Sequence, residues 1–126
     1  MKQRVSSGSP LEPVLGFSRA IRTGQQIMIA GTAPIEPDGS ATPGDAAAQM
    51  ERCCAIVARA ITDLGGDIGD TVRTCIYLTD RADFAAVAAV HGRWFGAARP
   101  ATTTLIVSGF VDPAWRVEIE AETLSL

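Results

Sequence analysis

The chain has 126 residues, with 14 acidic and 11 basic side chains and a net charge of −3 at pH 7, and its isoelectric point is near 5.0. Lys2 is the only lysine and the arginines are scattered, so the basic surface that nucleic acid binding requires for counterion release is missing. No run of about 18 apolar residues occurs, which argues against a helical membrane span, and no apolar core follows Lys2 and Arg4 as an export signal would require.

Three cysteines, an odd number in a chain without such a signal, are expected to be reduced thiols of a cytoplasmic protein. The length suits one domain spanning 1–126. Hydrophobic residues make up 47% of the chain, and the mean hydropathy is +0.18. A small protein is surface-rich, so this value points to apolar area buried between subunits. The alternative is an alanine-rich composition that raises hydropathy without large side chains.

In chain order, residues 2–7 form a short edge strand, and Pro10 and Pro13 make 8–14 irregular. Phe17 to Ile21 and Gln26 to Thr32 are two strands of a hairpin turning at Gly24-Gln25. Pro34, Pro37-Asp38-Gly39 and Pro43-Gly44 mark 33–44 as a loop. From Asp45 to Leu64, Met50, Cys53, Cys54, Val57, Ile61 and Leu64 recur at helical spacing. Asp45 sits in the first turn and Gly65-Gly66 ends the helix. Val72 to Leu78 is a strand. A second helix starts at Asp80, with Asp83 completing an approximate capping box, and runs to about Phe95, with Phe84, Val87, Ala88, His91 and Phe95 on one face.

Two strands close the chain: 99–107, rich in β-branched residues, and a return at 115–122. In the return, Trp115, Val117, Ile119 and Ala121 alternate with Arg116, Glu118, Glu120 and Glu122. Three carboxylates on one face of one strand repel one another and call for a partner. The pattern predicts an α+β fold, a mixed sheet with two helices packed on one face. The other face is left for a partner subunit to cover.

Few residues carry chemistry. Cys53-Cys54 lack C-x-x-C spacing, and with one histidine no zinc set can be assembled. Neither phosphate-binding glycine motif occurs, nor a G-x-S-x-G elbow that would enlist His91. Cys75 has Arg73 nearby and Tyr77 on its face, and reads as a packed thiol. Glu118, first of the acidic row, is the best catalytic candidate, able to orient a water or act as a general base. The competing reading is a structural acid paired to Arg99, Arg116 or Arg73.

Pro100-Ala101-x-x-Thr104 followed by Val117-Glu118-Ile119-Glu120-Ala121 resembles the C-terminal signature of the RidA/YjgF family, also called the L-PSP endoribonuclease-like family. Gln26 to Gly31, Asp45 to Gln49 and Asp80 to Phe84 extend the resemblance over most of the chain. It implies a chorismate mutase-like fold and a homotrimer with small-molecule sites in the clefts between subunits. It also implies hydrolysis of reactive enamines or imines to carbonyl compounds and ammonia, without a cofactor or metal.

In that family an arginine grips the substrate carboxylate and a glutamate orients the water. A tyrosine, a serine, an asparagine and a cysteine shape the rest. Carried over by position, only the glutamate persists, as Glu118. Thr102 stands for the arginine, Phe17 for the tyrosine, Ala30 for the serine, Ala88 for the asparagine and Thr104 for the cysteine. Losing the charge-assisted contact forfeits about 1.5–3 kcal/mol of binding, so a neutral or cationic, more apolar ligand is expected. Arg19 or Arg93 of another subunit is the conceivable replacement. The expected function is a hydrolase or deaminase with a non-standard substrate, the alternative a non-catalytic binder or sensor. A ribonuclease fits poorly with pI 5.0 and one lysine.

Overall fold

A computed structural model describes all residues, Met1–Leu126. The elements are β1 (Lys2–Val5), α1 (Leu11–Leu15), β2 (Ala20–Thr23), β3 (Gln26–Thr32), α2 (Ala46–Asp63), β4 (Thr71–Leu78), α3 (Phe84–Phe95), β5 (Ala101–Ile106) and β6 (Val117–Leu124). Single 3₁₀ turns at Ile68–Asp70 and Arg81–Asp83 precede β4 and α3. The six strands form one sheet in the order β1-β2-β3-β6-β4-β5. Every pairing is antiparallel except β4 with β5. This is the α+β architecture of the chorismate mutase-like fold, a mixed sheet with its long helices on one face.

The last two strands are not a hairpin. β6 is inserted between β3 and β4, while β5 lies parallel to β4 at the sheet edge. The connection from β4 to β5 runs through α3, the crossover a parallel pair requires. Alternation in 115–122 therefore marks a central strand. Val117, Ile119 and Ala121 are almost fully enclosed beneath the helices, and Glu118, Glu120 and Glu122 stand half-buried on the opposite face.

The core lies between sheet and helices. α2 contributes Met50, Cys53, Cys54, Val57 and Ile61, α3 contributes Val87, Val90 and Phe95, and the sheet Ile27, Ile76, Leu78, Val117 and Ile119. All three cysteines are free and buried. Asp45 is the N-cap of α2 rather than a first-turn residue, accepting from Ala48 N–H at 2.9 Å. Gly65, at φ 79°, supplies the left-handed conformation that ends the helix. Arg22 then donates from Nη1 to the freed Leu64 carbonyl at 2.7 Å.

Four local expectations change. Residues 11–15 are a short helix: Pro10 and Pro13 lie at its cap and first turn, where a missing N–H costs nothing. β2 starts at Ala20, not Phe17, because Phe17 N–H is held by the Glu12 carbonyl at 3.0 Å. Asp80 caps only the 3₁₀ turn, through Ala82 N–H, and Asp83 makes no cap bond. Asp83 instead meets Arg116 Nη2 at 3.1 Å. Phe84, at the start of α3, is 49% exposed and leaves the apolar face to Val87, Val90 and Phe95.

β3 carries a bulge. Its register against β6 shifts between Ile29, opposite Ala121, and Thr32, opposite Ile119, so Ala30 and Gly31 together face the single residue Glu120.

Candidate functional site

The acidic row is sorted by its partners. Tyr77 donates its phenolic O–H to Glu120, and Arg73 Nη1 lies 3.8 Å from Glu120 and 4.0 Å from Glu122. Glu118 has no arginine or lysine within ion-pair distance; Arg116 is committed to Asp83, and Arg99 forms no salt bridge. The structural-acid reading with Arg99, Arg116 or Arg73 therefore fails for Glu118, although Arg73 does serve the other two.

Glu118 is positioned by β6 between Tyr77 of β4, its direct cross-strand neighbour, and the bulge of β3. A Cβ on Gly31 would sit 3.4 Å from Glu118 Oε1, so the carboxylate leans over a glycine and keeps its access to the open face. Burial raises its pKa above the ordinary carboxylate value, and the field of Arg19 partly offsets this. A half-buried carboxylate of raised pKa, unpaired, has the profile of a proton-transferring group.

Arg19 is the residue the sequence reading underrated. It is buried, just before β2, and its Nη1 donates to the Gly31 carbonyl at 2.6 Å and to Thr32 Oγ1 at 3.0 Å. Its Nε donates to Ser7 Oγ at 3.2 Å, and its Cζ lies 5.1 Å from the centre of the Phe17 ring. The guanidinium thus satisfies carbonyls that the bulge turns away from the ladder. It touches Phe17 and the Ala30–Gly31 bulge and acts on Glu118 through its field alone. Glycine inside the strand pattern was the available signal for such a bulge. Arg93 pairs instead with Glu51, on the exposed side of the helices.

Thr102 and Thr104 lie elsewhere. They are in register with Thr74 and Ile76, whose side chains face the helices, so within one chain they occupy the opposite side of the sheet from Glu118. Thr74, fully buried, brings its Oγ1 to 2.8 Å from Thr102 Oγ1 and 2.9 Å from His91 Nε2. Thr102 also donates to the Pro100 carbonyl at 3.2 Å. His91 stacks on Phe95, with ring centres 4.7 Å apart, and burial lowers its pKa. Ala88 sits one turn before His91 on α3, partly buried.

The site positions named from the sequence therefore form two groups. Phe17 and Ala30 meet Arg19 at the bulge, with Glu118 over Gly31. Thr102 joins His91 through Thr74 at the β5 edge, with Ala88 one turn before His91 and Thr104 on the same face of β5 as Thr102. Arg99, at the turn into β5, has φ 52°. That left-handed backbone is uncommon for a residue other than glycine and more so before proline. No cluster of three or more His, Cys, Asp or Glu side chains suited to a metal ion is present. No helix is long and apolar enough to cross a membrane.

Comparison with known proteins places these features. Residues 8–124 match the family model described as Endoribonuclease L-PSP. SCO2049 of Streptomyces coelicolor, described as an uncharacterized protein, is 36% identical over 120 residues, covering 95% of this chain and 90% of that protein. RutC family protein PYRAB12510 of Pyrococcus abyssi is 33% identical over 98 residues, 77% of each chain. The crystal structure of Rv2704 from Mycobacterium tuberculosis, a member of the YjgF/YER057c/UK114 family, superposes with a TM-score of 0.89 at 36% identity. It covers 98% of this chain and 99% of that one. The fold, the acidic strand and these matches together make the chain a member of the RidA/YjgF family, the family of the Endoribonuclease L-PSP model.

Proposed function

We propose that this protein hydrolyses a neutral or cationic enamine- or imine-type metabolite, with Glu118 orienting the attacking water, in a site completed between copies of a homotrimer. One observation carries the reading: Glu118 is the only carboxylate of the β6 row without a hydrogen-bonding tyrosine or an ion-pairing arginine. Such a group attracts an iminium cation and can hold water against it. The water oxygen bonds to the imine carbon as its proton passes to the carboxylate. That proton passes to nitrogen, and as the carbon–nitrogen bond breaks the carboxylate takes the hydroxyl proton, releasing ammonia and leaving a carbonyl.

A second copy lying on the open face would bring its β5 edge, with Thr102 and Thr104, toward Glu118. Exposed Met28 and Leu105, each 47% accessible in the single chain, give that contact apolar area. Light scattering should report three times the 13.2 kDa chain mass. An RNA substrate fits less well, since its phosphates would meet the acidic row. A binder without catalysis is the second reading, favoured by Thr102, whose hydroxyl is already held by Thr74 and Pro100 at the position where the family resemblance implies a substrate-gripping arginine.

The deciding assay measures ammonia release from imines generated in situ by amino-acid and amine oxidases. Glu118→Gln should slow release by about 10²–10⁴-fold, the range for loss of a general acid–base group. Unchanged release in the variant, or no release above the spontaneous rate from any imine, rejects hydrolysis. In the latter case a thermal shift with neutral or cationic metabolites that depends on Glu118 would establish the binder instead.

A further inference from the structure

We propose that the groove between β1 and α2, on the helix side of the sheet and away from the open face of Glu118, is a second binding site for a small organic carboxylate with a short apolar tail. The groove encloses about 260 Å³, slightly below the usual range for ligand pockets and suited to a molecule of few carbons. Val5, Ala55 and Ile56 supply apolar walls, and Arg19, Arg52 and Arg59 border it.

The three guanidinium groups are anchored in a way that leaves donors unused. Arg19 is 5% exposed, and its Nε and Nη1 are committed to Ser7, Gly31 and Thr32. Its Nη2 makes no hydrogen bond, yet it is not among the sealed, unpartnered atoms of the protein. Arg52 uses Nε on the Ile35 carbonyl at 2.7 Å and on Glu36 at 3.3 Å. Arg59 uses Nε on both oxygens of Asp63, at 2.9 and 3.0 Å. The Nη groups of Arg52 and Arg59 carry no protein partner, and they are the paired, forked donors that recognise a carboxylate.

Donor geometry selects the class of ligand. Three arginines line the groove with one carboxylate, Asp63, while Glu36, which pairs with Arg52, lies outside the lining. Glu12, behind Ser7, spends Oε2 on Ser7 and Ser9 and does not line the groove. Forked donors beside the apolar walls of Val5, Ala55 and Ile56 match a carboxylate with a hydrocarbon body better than a phosphate, which has no apolar part.

Sodium butyrate is the probe, with inorganic phosphate and butylammonium chloride as comparisons, read by amide and arginine Nε–H shifts in a ¹⁵N-labelled protein. Butyrate should move Ser7, Ile56 and the Arg52 side chain, and butylammonium should leave them in place. Arg52→Gln, which removes a charged fork, and Ile56→Trp, which fills the groove, should each weaken butyrate by about tenfold or more. Glu118→Gln, whose side chain does not line the groove, should change butyrate affinity less than either groove variant, which separates this site from the proposed catalytic one. The proposal is overturned if butyrate moves no groove resonance, if phosphate moves them as strongly, if neither groove variant weakens binding, or if Glu118→Gln abolishes it.

Discussion

The two faces of β6 are made from one eight-residue segment and obey different rules. Toward the helices, Val117, Ile119, Ala121 and Thr123 are all within 2% of complete burial. Packing decides the contacts there, apart from the buried hydroxyl pair of Thr71 and Thr123 at 3.1 Å. Toward the open side, Glu118, Glu120 and Glu122 stay half-buried, and charge decides which is paired. The buried face packs β6 beneath α2, between β3 and β4. The open face holds a difference among three otherwise equal carboxylates, and only a difference of that kind can single out one for chemistry.

The largest test of this contrast is truncation. Phe95→Ala, at a fully enclosed position, should cost about 3–5 kcal/mol in urea denaturation. Glu122→Ala, which removes a long and exposed ion pair with Arg73, should cost less than about 1 kcal/mol. Comparable losses would mean that the open face is structural after all. Next comes Gly66→Ala. Its Cβ would sit 2.6 Å from Ile27 Cδ1 and 3.1 Å from Ile61 Cγ2, inside the packed layer, and overpacking should cost about 1–3 kcal/mol.

Thr74→Val is smaller and more local. It keeps the shape but removes the hydroxyl shared by His91 and Thr102, at about 1–2 kcal/mol. The His91 ring resonances should shift with it, while those of Tyr77 should not.

The gentlest test is pH. Glu118 has a folded pKa raised by burial, so the folded state binds its proton more tightly than the unfolded state. Stability from this group therefore falls as pH rises from the ordinary carboxylate value through the raised one. Glu118→Gln should flatten that slope and leave the protein more stable at neutral pH. Glu12 acts in the opposite sense. Burial alone would raise its pKa, but hydrogen bonds from Ser7, Ser6 and Ser9 outweigh it and lower the value. Its contribution is complete above the unfolded pKa and is lost as pH falls through the folded one. Chemical denaturation of Glu118→Gln and Glu12→Gln across the acidic range separates the two signs.

Much of the frame was legible from the sequence. β3 and α2 appear there almost residue for residue, because a buried strand and a long amphipathic helix each repeat a period several times. The alternation of 115–122 correctly assigned Glu118 to a face opposite Val117 and Ile119. It said nothing of neighbours. Periodicity reports which way a side chain points and not which strand lies beside it. The expected return after β5 thus became a separate central strand, and Thr102 fell on the other side of the sheet from Glu118. Arg19 was obscured for a related reason. Its role depends on carbonyls exposed by the bulge eleven to twelve residues later, a contact no local pattern contains.

The bulge at Ala30–Gly31 has one more consequence. Side chains along a strand behave like odd and even numbers, and Ile27, Ile29 and Thr32 all reach the core only because the count is reset between 29 and 32. Removing Gly31 would not merely shorten β3 by a residue. It would swap odd for even downstream, so that Thr32 pointed to water or Ile27 and Ile29 did. A single inserted residue thus lets one strand serve two incompatible counts, hydrophobic order on one side of it and the bed beneath Glu118 on the other.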